Sequence, residues 1–493
     1  MRFLGVLLLC VAVQVRAQFV PTDRIQPPPP AQEFRGAWVA TVNNIDWPSK
    51  PGLTAAQQQQ ELRAIIERAA ALKLNALIFQ VRPMCDALYE SKLEPWSEFL
   101  TGKMGQSPGW DPLAWAIAEC HQRGLELHAW FNPYRARFKS AKGEAHATHI
   151  TQTQPRLVRS YTGYQWLDPG EPAGAAHSLA VMLDVVRRYD IDGLHMDDYF
   201  YPYKEKDAKG QWLDFPDEKS WKAHGGGLSR GDWRRDNINR FVHQLYAETK
   251  KIKPWVKVGI SPFGIWRPSH PASVKGLDAF DTLYADARLW LNRGWMDYCA
   301  PQLYWAIDAP AQSFPQLLHW WAGENTQKRH LWPGQNSAKV NPWKAEEIVQ
   351  QIGLARKEPG VTGHVHWNVS ALTKDRGGLA TLLAQQTYRE TALVPASPWL
   401  AQKPMAKPAV SFTKTNAGVA ANWRVLNPEQ TGRWLLQLRV GERWETLVLP
   451  ADKTSHSLRN SAGAAADAFA LRAVDRAGNL GAPAVFTPSA AAP

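Results

Sequence analysis

Gly193-Leu194-His195-Met196-Asp197-Asp198-Tyr199-Phe200-Tyr201-Pro202 is a short apolar run that ends in two acids. Side chains of a strand alternate between its two faces. In a closed sheet wrapped by helices, Leu194 and Met196 therefore face the helices, while His195 and Asp197 point inward at the mouth. Outward from this run the same theme recurs. Strand candidates stand at Arg35–Thr41, Ala76–Val81, Glu126–Asn132, Gly193–Tyr199, Lys257–Phe263, Tyr298–Trp305, His330–Gln335 and Gly363–Asn368. Helical patterns fall between them, for instance Ala55–Leu72 with Leu62, Ile65, Ile66 and Ala69 on one face, Pro112–Arg123 and Ala175–Arg188. Eight such βα units closing on themselves make an α/β fold of the (β/α)8 TIM barrel type, placed here over residues 33–392.

The flanks read differently. Residues 1–17 carry Arg2, the apolar run Phe3–Val13 and Val15-Arg16-Ala17, the pattern of a secretory signal peptide cut near Ala17. The apolar run is shorter than the roughly 20 residues of a spanning helix, so no integral membrane span is expected. Cys10 follows Leu9, where a lipoprotein signal needs a small residue. Residues 18–32, with Pro27 to Pro30, read as a Pro-rich spacer, and 393–408 as a Pro-rich linker. From 409 to 489 short alternating strands recur at Ala420–Val425, Gly432–Val440, Thr446–Leu449 and Ala468–Val474, the pattern of a small fibronectin type III-like β-sandwich.

Composition excludes several classes. Lys and Arg outnumber Asp and Glu to give +12, but they are scattered, and no basic stripe interleaves with aromatic residues as in a nucleic-acid groove. Beyond the signal, Cys85, Cys120 and Cys299 are odd in number and form no Cys-x-x-Cys pair, so neither a disulfide framework nor a zinc ribbon is expected; one disulfide stays open. There is no Gly-x-Ser-x-Gly elbow, Walker loop, His-Glu-x-x-His or dinucleotide-binding glycine turn. His128 and His195 lack a third ligand for zinc, so neither metal nor cofactor is expected. The 24 Trp residues are the unusual component. A Trp ring suits a protein core as well as a sugar face, and core packing is the reading for most of them.

The chemistry sits at the strand ends. Two adjacent acids after an apolar strand make Asp197 the first candidate catalyst and Asp198 the fallback. Glycoside hydrolysis needs a second carboxyl group, and Asp286, after the fifth strand, is the candidate general acid/base, with Asp197 as nucleophile or charge stabiliser; the competing reading of Asp286 is a helix N-cap. Asp297 is weaker because it precedes the sixth strand. Around these acids the strand ends supply Arg82, Trp130, Asn132, Tyr134, His195, Trp266, Gln302, Tyr304, Trp305 and Trp367 as candidate substrate-binding groups. Amides and guanidinium match sugar hydroxyls, and aromatic rings match pyranose faces. The long polar loop from Tyr203 to Arg234 follows the fourth strand and is expected to form a wall of the cleft.

Phe34-Arg35-Gly36-Ala37-Trp38-Val39-Ala40-Thr41, Phe79-Gln80-Val81-Arg82-Pro83, Ala129-Trp130-Phe131-Asn132-Pro133-Tyr134, the Asp197–Pro202 run, Ser261-Pro262-Phe263-Gly264 and Pro301-Gln302-Leu303-Tyr304-Trp305 together resemble the glycosyl hydrolase-like 10 family over about residues 33–390. The resemblance implies a bacterial envelope enzyme, often with a small β-sandwich at the carboxyl end, which with the signal-like residues 1–17 places the protein in the periplasm or cell exterior. It further implies hydrolysis of a polysaccharide, with peptidoglycan glycan strands stripped of stem peptides as one family substrate. Envelope protein partners would dock through the carboxyl-terminal module. The missing lipoprotein Cys departs from an outer-membrane-anchored form. Two other readings remain: a non-catalytic carbohydrate-binding barrel in a cell-wall complex, and an exopolysaccharide hydrolase.

Overall fold

The computed structural model describes residues 19–141, 143–400, 404–416, 418–425 and 428–489, so the signal-peptide reading and residues 401–403 of the linker lie outside the described residues. One parallel sheet runs through Phe34–Val39, Ala76–Arg82, Glu126–Phe131, Gly193–Met196, Lys257–Ile260, Tyr298–Cys299, His330–Leu331, Gly334–Gln335 and Gly363–His366. Its two ends are pieces of one segment. His330–Leu331 pairs with Tyr298–Cys299, and Gly334–Gln335 pairs with Gly363–His366. Bridges from Gln302 to Gly334 and from Leu331 to Val361 tie that segment to both neighbours. The sheet thus returns on itself, and the domain is TIM-barrel-like.

The fifth, sixth and seventh strands are shorter than the apolar runs predict. Pro262, Pro301 and Pro333 lie inside those runs, and a proline has no N–H to give the ladder. Beyond them pairing resumes as single bridges at Phe263–Gln302 and Gln302–Gly334 and, after Pro333, as the short Gly334–Gln335 ladder on the last strand.

Helices cover the outside as the periodicity predicts. Ala55–Ala71 is capped by Thr54, whose hydroxyl accepts from Gln57 N while Gln57 Oε1 accepts from Thr54 N over 3.0 Å. Pro112–Gln122 starts from an Asp111 cap, and Pro172–Arg188 begins three residues before the predicted start because Pro172 suits a first turn. The expected alternation holds along the fourth strand. Leu194 and Met196 join the core between sheet and helices, whereas Phe34, Trp38, Trp130, Tyr298 and Trp332 fill the barrel interior as a separate cluster.

Among the described residues of 409–489 the strands form two antiparallel sheets. Ala409–Thr415, Gly418–Arg424 and Ser455–Ser457 make one; Thr431–Val440, Arg443–Pro450, Ala468–Asp475 and Ala484–Pro488 make the other. Phe412, Trp423, Trp434, Phe469 and Phe486 share the core between them. The flanking segments are packed rather than free. Phe19–Pro21 adds an edge strand to Ala484–Pro488, and Ala31–Gln32 pairs with Ala392–Leu393. Extended Pro-rich chain is already close to strand geometry, so a stiff spacer joins a sheet edge at little conformational cost. In the linker, Ser397 Oγ meets His330 Nε2 at 2.9 Å, and Trp399 Nε1 donates to Asp297 over 2.8 Å. Asp297 also receives Val258 N and Lys250 Nζ, which makes it a structural acid at the amino end of the barrel.

Candidate active site

At the carboxyl end of the barrel a cleft of about 280 Å³ opens, lined by Trp38, Gln80, Trp130, Arg135, Asp197, Asp198, Tyr199, Tyr203, Ser261, Gln302, Tyr304 and Trp367, and also by Val42, Asn43, Ile45 and Phe138. The fourth strand stops at Met196, so the two acids occupy the turn beyond it and both reach the cleft.

Each acid is held by different donors. Asn132 Nδ2 donates to Asp197 Oδ2 over 2.6 Å, and Tyr199 N approaches Asp197 Oδ1 at 3.4 Å. Asn132 is itself fixed, since its Oδ1 accepts from Gln80 Nε2 at 2.6 Å and from Arg135 Nη2. Gln80 Oε1 in turn accepts from Thr41 N and Val42 N, both at 2.9 Å, so the amide orientations along the relay are dictated by backbone donors. Asp198 accepts from the Tyr203 hydroxyl and from Gln302 Nε2, the latter over 3.0 Å. Asp197 and Asp198 are 6% and 2% exposed. Burial, reinforced by the neighbouring Asp198 charge, raises the Asp197 pKa to about 7, against the pull of Arg135 and Asn132. Burial also raises Asp198, with Tyr203 and Gln302 working the other way.

Beneath the cleft a buried polar chain fixes its floor. Trp38 Nε1 can only donate, so His195 Nε2 accepts at 3.1 Å and His195 Nδ1 donates to the Tyr298 hydroxyl at 2.9 Å. That hydroxyl donates on to His128 Nδ1 at 2.8 Å, and His128 Nε2 donates to Glu126 at 2.9 Å. Burial, with His128 nearby, keeps His195 well below its usual pKa and hence neutral. Glycine makes the space: a Cβ on Gly259 would stand 1.8 Å from Tyr298 Cζ.

A family model described as glycosyl hydrolase-like 10 matches residues 33–350, which span the strands and loops that build this cleft. The chain belongs to the glycosyl hydrolase-like 10 family. It is therefore a glycosidase of that family. Glycosyl hydrolase YngK of Bacillus subtilis is 40% identical over 395 residues, covering 77% of this chain and 76% of its own. Glycosyl hydrolase DigH of Escherichia coli is 36% identical over 343 residues, covering 64% of this chain and 77% of its own. Among solved structures, the PgaB (BpsB) glycoside hydrolase domain from Bordetella bronchiseptica is 12% identical at a TM-score of 0.47, covering 73% of this chain and 99% of that one.

In this family member the cleft gathers Asp197, Asp198, Trp130, Gln302, Tyr304 and Trp367, with Asn132 directly behind Asp197. Other candidates stand elsewhere. Asp286 caps the helix Ala287–Asn292, accepting Leu289 N at 3.1 Å and Trp266 Nε1 at 3.0 Å, and it does not line the cleft. Trp266 stacks on Trp320, outside the cleft. Arg82 is fully buried and forks onto Glu94, with Nε to Oε2 at 2.8 Å and Nη2 to Oε1 at 2.5 Å. A register shift between Gln80 and Arg82 breaks the alternation that would have kept both on the cleft side. Tyr134 packs on Phe241, and His195 lies under the floor. Trp305 packs edge-on against Phe263, beside the cleft rather than in its lining.

Sequence reasoning does not single out Tyr203, Gln80, Trp38 or Ser261 as site residues. Gln80 had a usable signal, a polar side chain in the middle of the apolar strand Ala76–Arg82. Tyr203 had none, because its place depends on how the long loop folds back. That loop is also partly helical, with Glu218–His224 and the start of Arg230–Ile252 inside it.

Proposed function

We propose that this glycosidase hydrolyses an envelope polysaccharide, with peptidoglycan glycan strands as its substrate and Asp197 and Asp198 as its catalytic carboxyls. The observation that carries the proposal is the pairing of two buried acids at one strand end inside an aromatic-walled cleft. Trp38, Trp130, Tyr304 and Trp367 supply faces for pyranose rings. Trp130 Nε1 and Ser261 Oγ, buried at the cleft without a protein partner, supply groups for sugar hydroxyls. The +12 charge favours a glycan that carries lactyl carboxylates.

Asp197 serves as the proton donor: burial and the neighbouring Asp198 charge raise its pKa and favour the protonated form, and its Oδ1 carries a long 3.4 Å contact from Tyr199 N. Export through residues 1–17 and release into the periplasm or beyond complete the reading. No helix among the described residues is long and apolar enough to cross a membrane. The two-sheet carboxyl-terminal unit is read as a fibronectin type III-like sandwich that docks envelope partners.

The test is digestion of purified, amidase-treated cell wall. Soluble fragments with new reducing ends are expected. Glycan retention without fragments would make the barrel a binding protein, and anhydro ends would exclude hydrolysis.

A further inference from the structure

The two acids are sequence neighbours, and neighbouring Cα atoms are about 3.8 Å apart. Both side chains are held by protein donors, Asp197 by Asn132 behind it and Asp198 by Tyr203 and Gln302, which line the cleft beside it. They thus present one wall of carboxyls to one side of a bound sugar. Common glycosidase mechanisms need carboxyls that flank the scissile bond, one donating a proton and the other attacking the anomeric carbon or activating water for that attack. Among the described residues lining this cleft, Asp197 and Asp198 are the only carboxylates, and Asp286, the acid expected to oppose them, is turned away to cap a helix. The nucleophile therefore has to come from elsewhere.

We propose that it comes from the substrate: the enzyme cleaves the bond of a 2-acetamido sugar whose own amide carbonyl oxygen attacks the anomeric carbon, with Asp197 as acid and Asp198 as acceptor of the amide N–H. This rests on the reading of Asp197 and Asp198 as the catalytic pair. In the first step the carbonyl oxygen forms a bond to C1, the bond from C1 to the leaving oxygen breaks, and that oxygen takes the Asp197 proton. The amide becomes part of an oxazolinium ring, whose N–H positive charge is balanced by the Asp198 carboxylate. In the second step water attacks C1, gives its proton to Asp197, and the ring opens to regenerate the acetamido group. No oxidant or further reactant is consumed. The aromatic side chains Trp38, Trp130, Tyr304 and Trp367 line the same cleft and give an apolar surface for the acetyl methyl group.

The test compares amidase-treated peptidoglycan glycan strands with three derivatives: N-deacetylated, re-N-acetylated and N-trifluoroacetylated. The trifluoroacetyl group keeps the shape and the N–H but weakens the carbonyl nucleophile. Cleavage of the native glycan, loss of at least about 100-fold in kcat on the deacetylated and trifluoroacetylated forms, and recovery on re-acetylation are expected, on the scale of losing a positioned catalytic group. Equal cleavage of the native and trifluoroacetylated glycans would overturn substrate participation while leaving the glycosidase reading intact. No cleavage of any form would remove the peptidoglycan reading and this inference together.

Discussion

Asn132 Nδ2 donates to Asp197 Oδ2 over 2.6 Å across the ends of two neighbouring parallel strands. The donor is oriented by Gln80, itself read by two backbone N–H groups of the first strand's exit, so groups from three neighbouring strands converge on one carboxyl. Donation to the charged form lowers a carboxyl pKa, which here tempers the rise caused by burial and Asp198.

Removing that donor raises the Asp197 pKa further. An acid catalyst works while protonated, so its rate falls as pH rises through the pKa. Asn132→Ala is expected to move the alkaline limb of the kcat/KM profile to higher pH and to lower the maximum by roughly 10- to 100-fold. A purely structural role for Asn132 would lower the rate at every pH without moving the limb.

The Asp197 pKa also sets a stability trend. A carboxyl raised from 3.8 to about 7 in the folded state favours folding only while protonated, so its contribution is present below pH 4 and is lost as pH climbs through 7. Asp197→Asn removes that loss. Its stability relative to the parent is expected to rise between pH 5 and pH 8, by roughly 2–3 kcal/mol on the scale of 1.36 kcal/mol per pKa unit, because part of the loss is already complete at pH 5. Denaturant melts at the two pH values read this directly, and a constant difference would refute it.

Arg82 and Glu94 form a buried pair away from the cleft, and Arg82 with His177 overcomes burial to hold the Glu94 pKa at about 2. Arg82→Met leaves the buried Glu94 carboxylate with His177 in place of its guanidinium fork and is expected to cost about 3–5 kcal/mol of stability. KM of the fraction that remains folded should stay near the parent value. A large KM rise with unchanged melting would return Arg82 to the binding site.

Trp367 is half-buried, lines the cleft and meets Trp130 and Trp38 edge-on. Trp367→Ala is expected to raise KM about tenfold or more, since aromatic stacking of this kind is worth on the order of 1 kcal/mol and the lost contact area adds to it. Titration of glycan fragments against Trp fluorescence would show the same weakening; unchanged affinity would place the sugar elsewhere.

The barrel was legible because apolar runs and helical periods are local signals, and the fourth strand's alternation put Leu194 and Met196 outside and His195 inside as read. Asp197, Asp198, Gln302 and Tyr304 followed from strand ends alone. The misplacements have local causes. Arg82 left the cleft through one register shift, Asp286 met a helix N-terminus that needed a cap, and the short strands five to seven carry prolines within their apolar runs. Packing of the Pro-rich ends depended on pairing between residues more than 350 positions apart, as at Phe19–Pro488, which no local pattern encodes.

Reducing-end release from amidase-treated glycan strands by Asp197→Asn, Asp198→Asn and Asp286→Asn is the most direct measurement, with circular dichroism confirming that each variant is folded. The first two are expected to lose about 100- to 10,000-fold in kcat, while Asp286→Asn keeps a competent helix cap and stays within about twofold of the parent. Full activity in folded Asp197→Asn, or loss of activity in folded Asp286→Asn, would contradict the assignment of the adjacent pair as the catalytic centre.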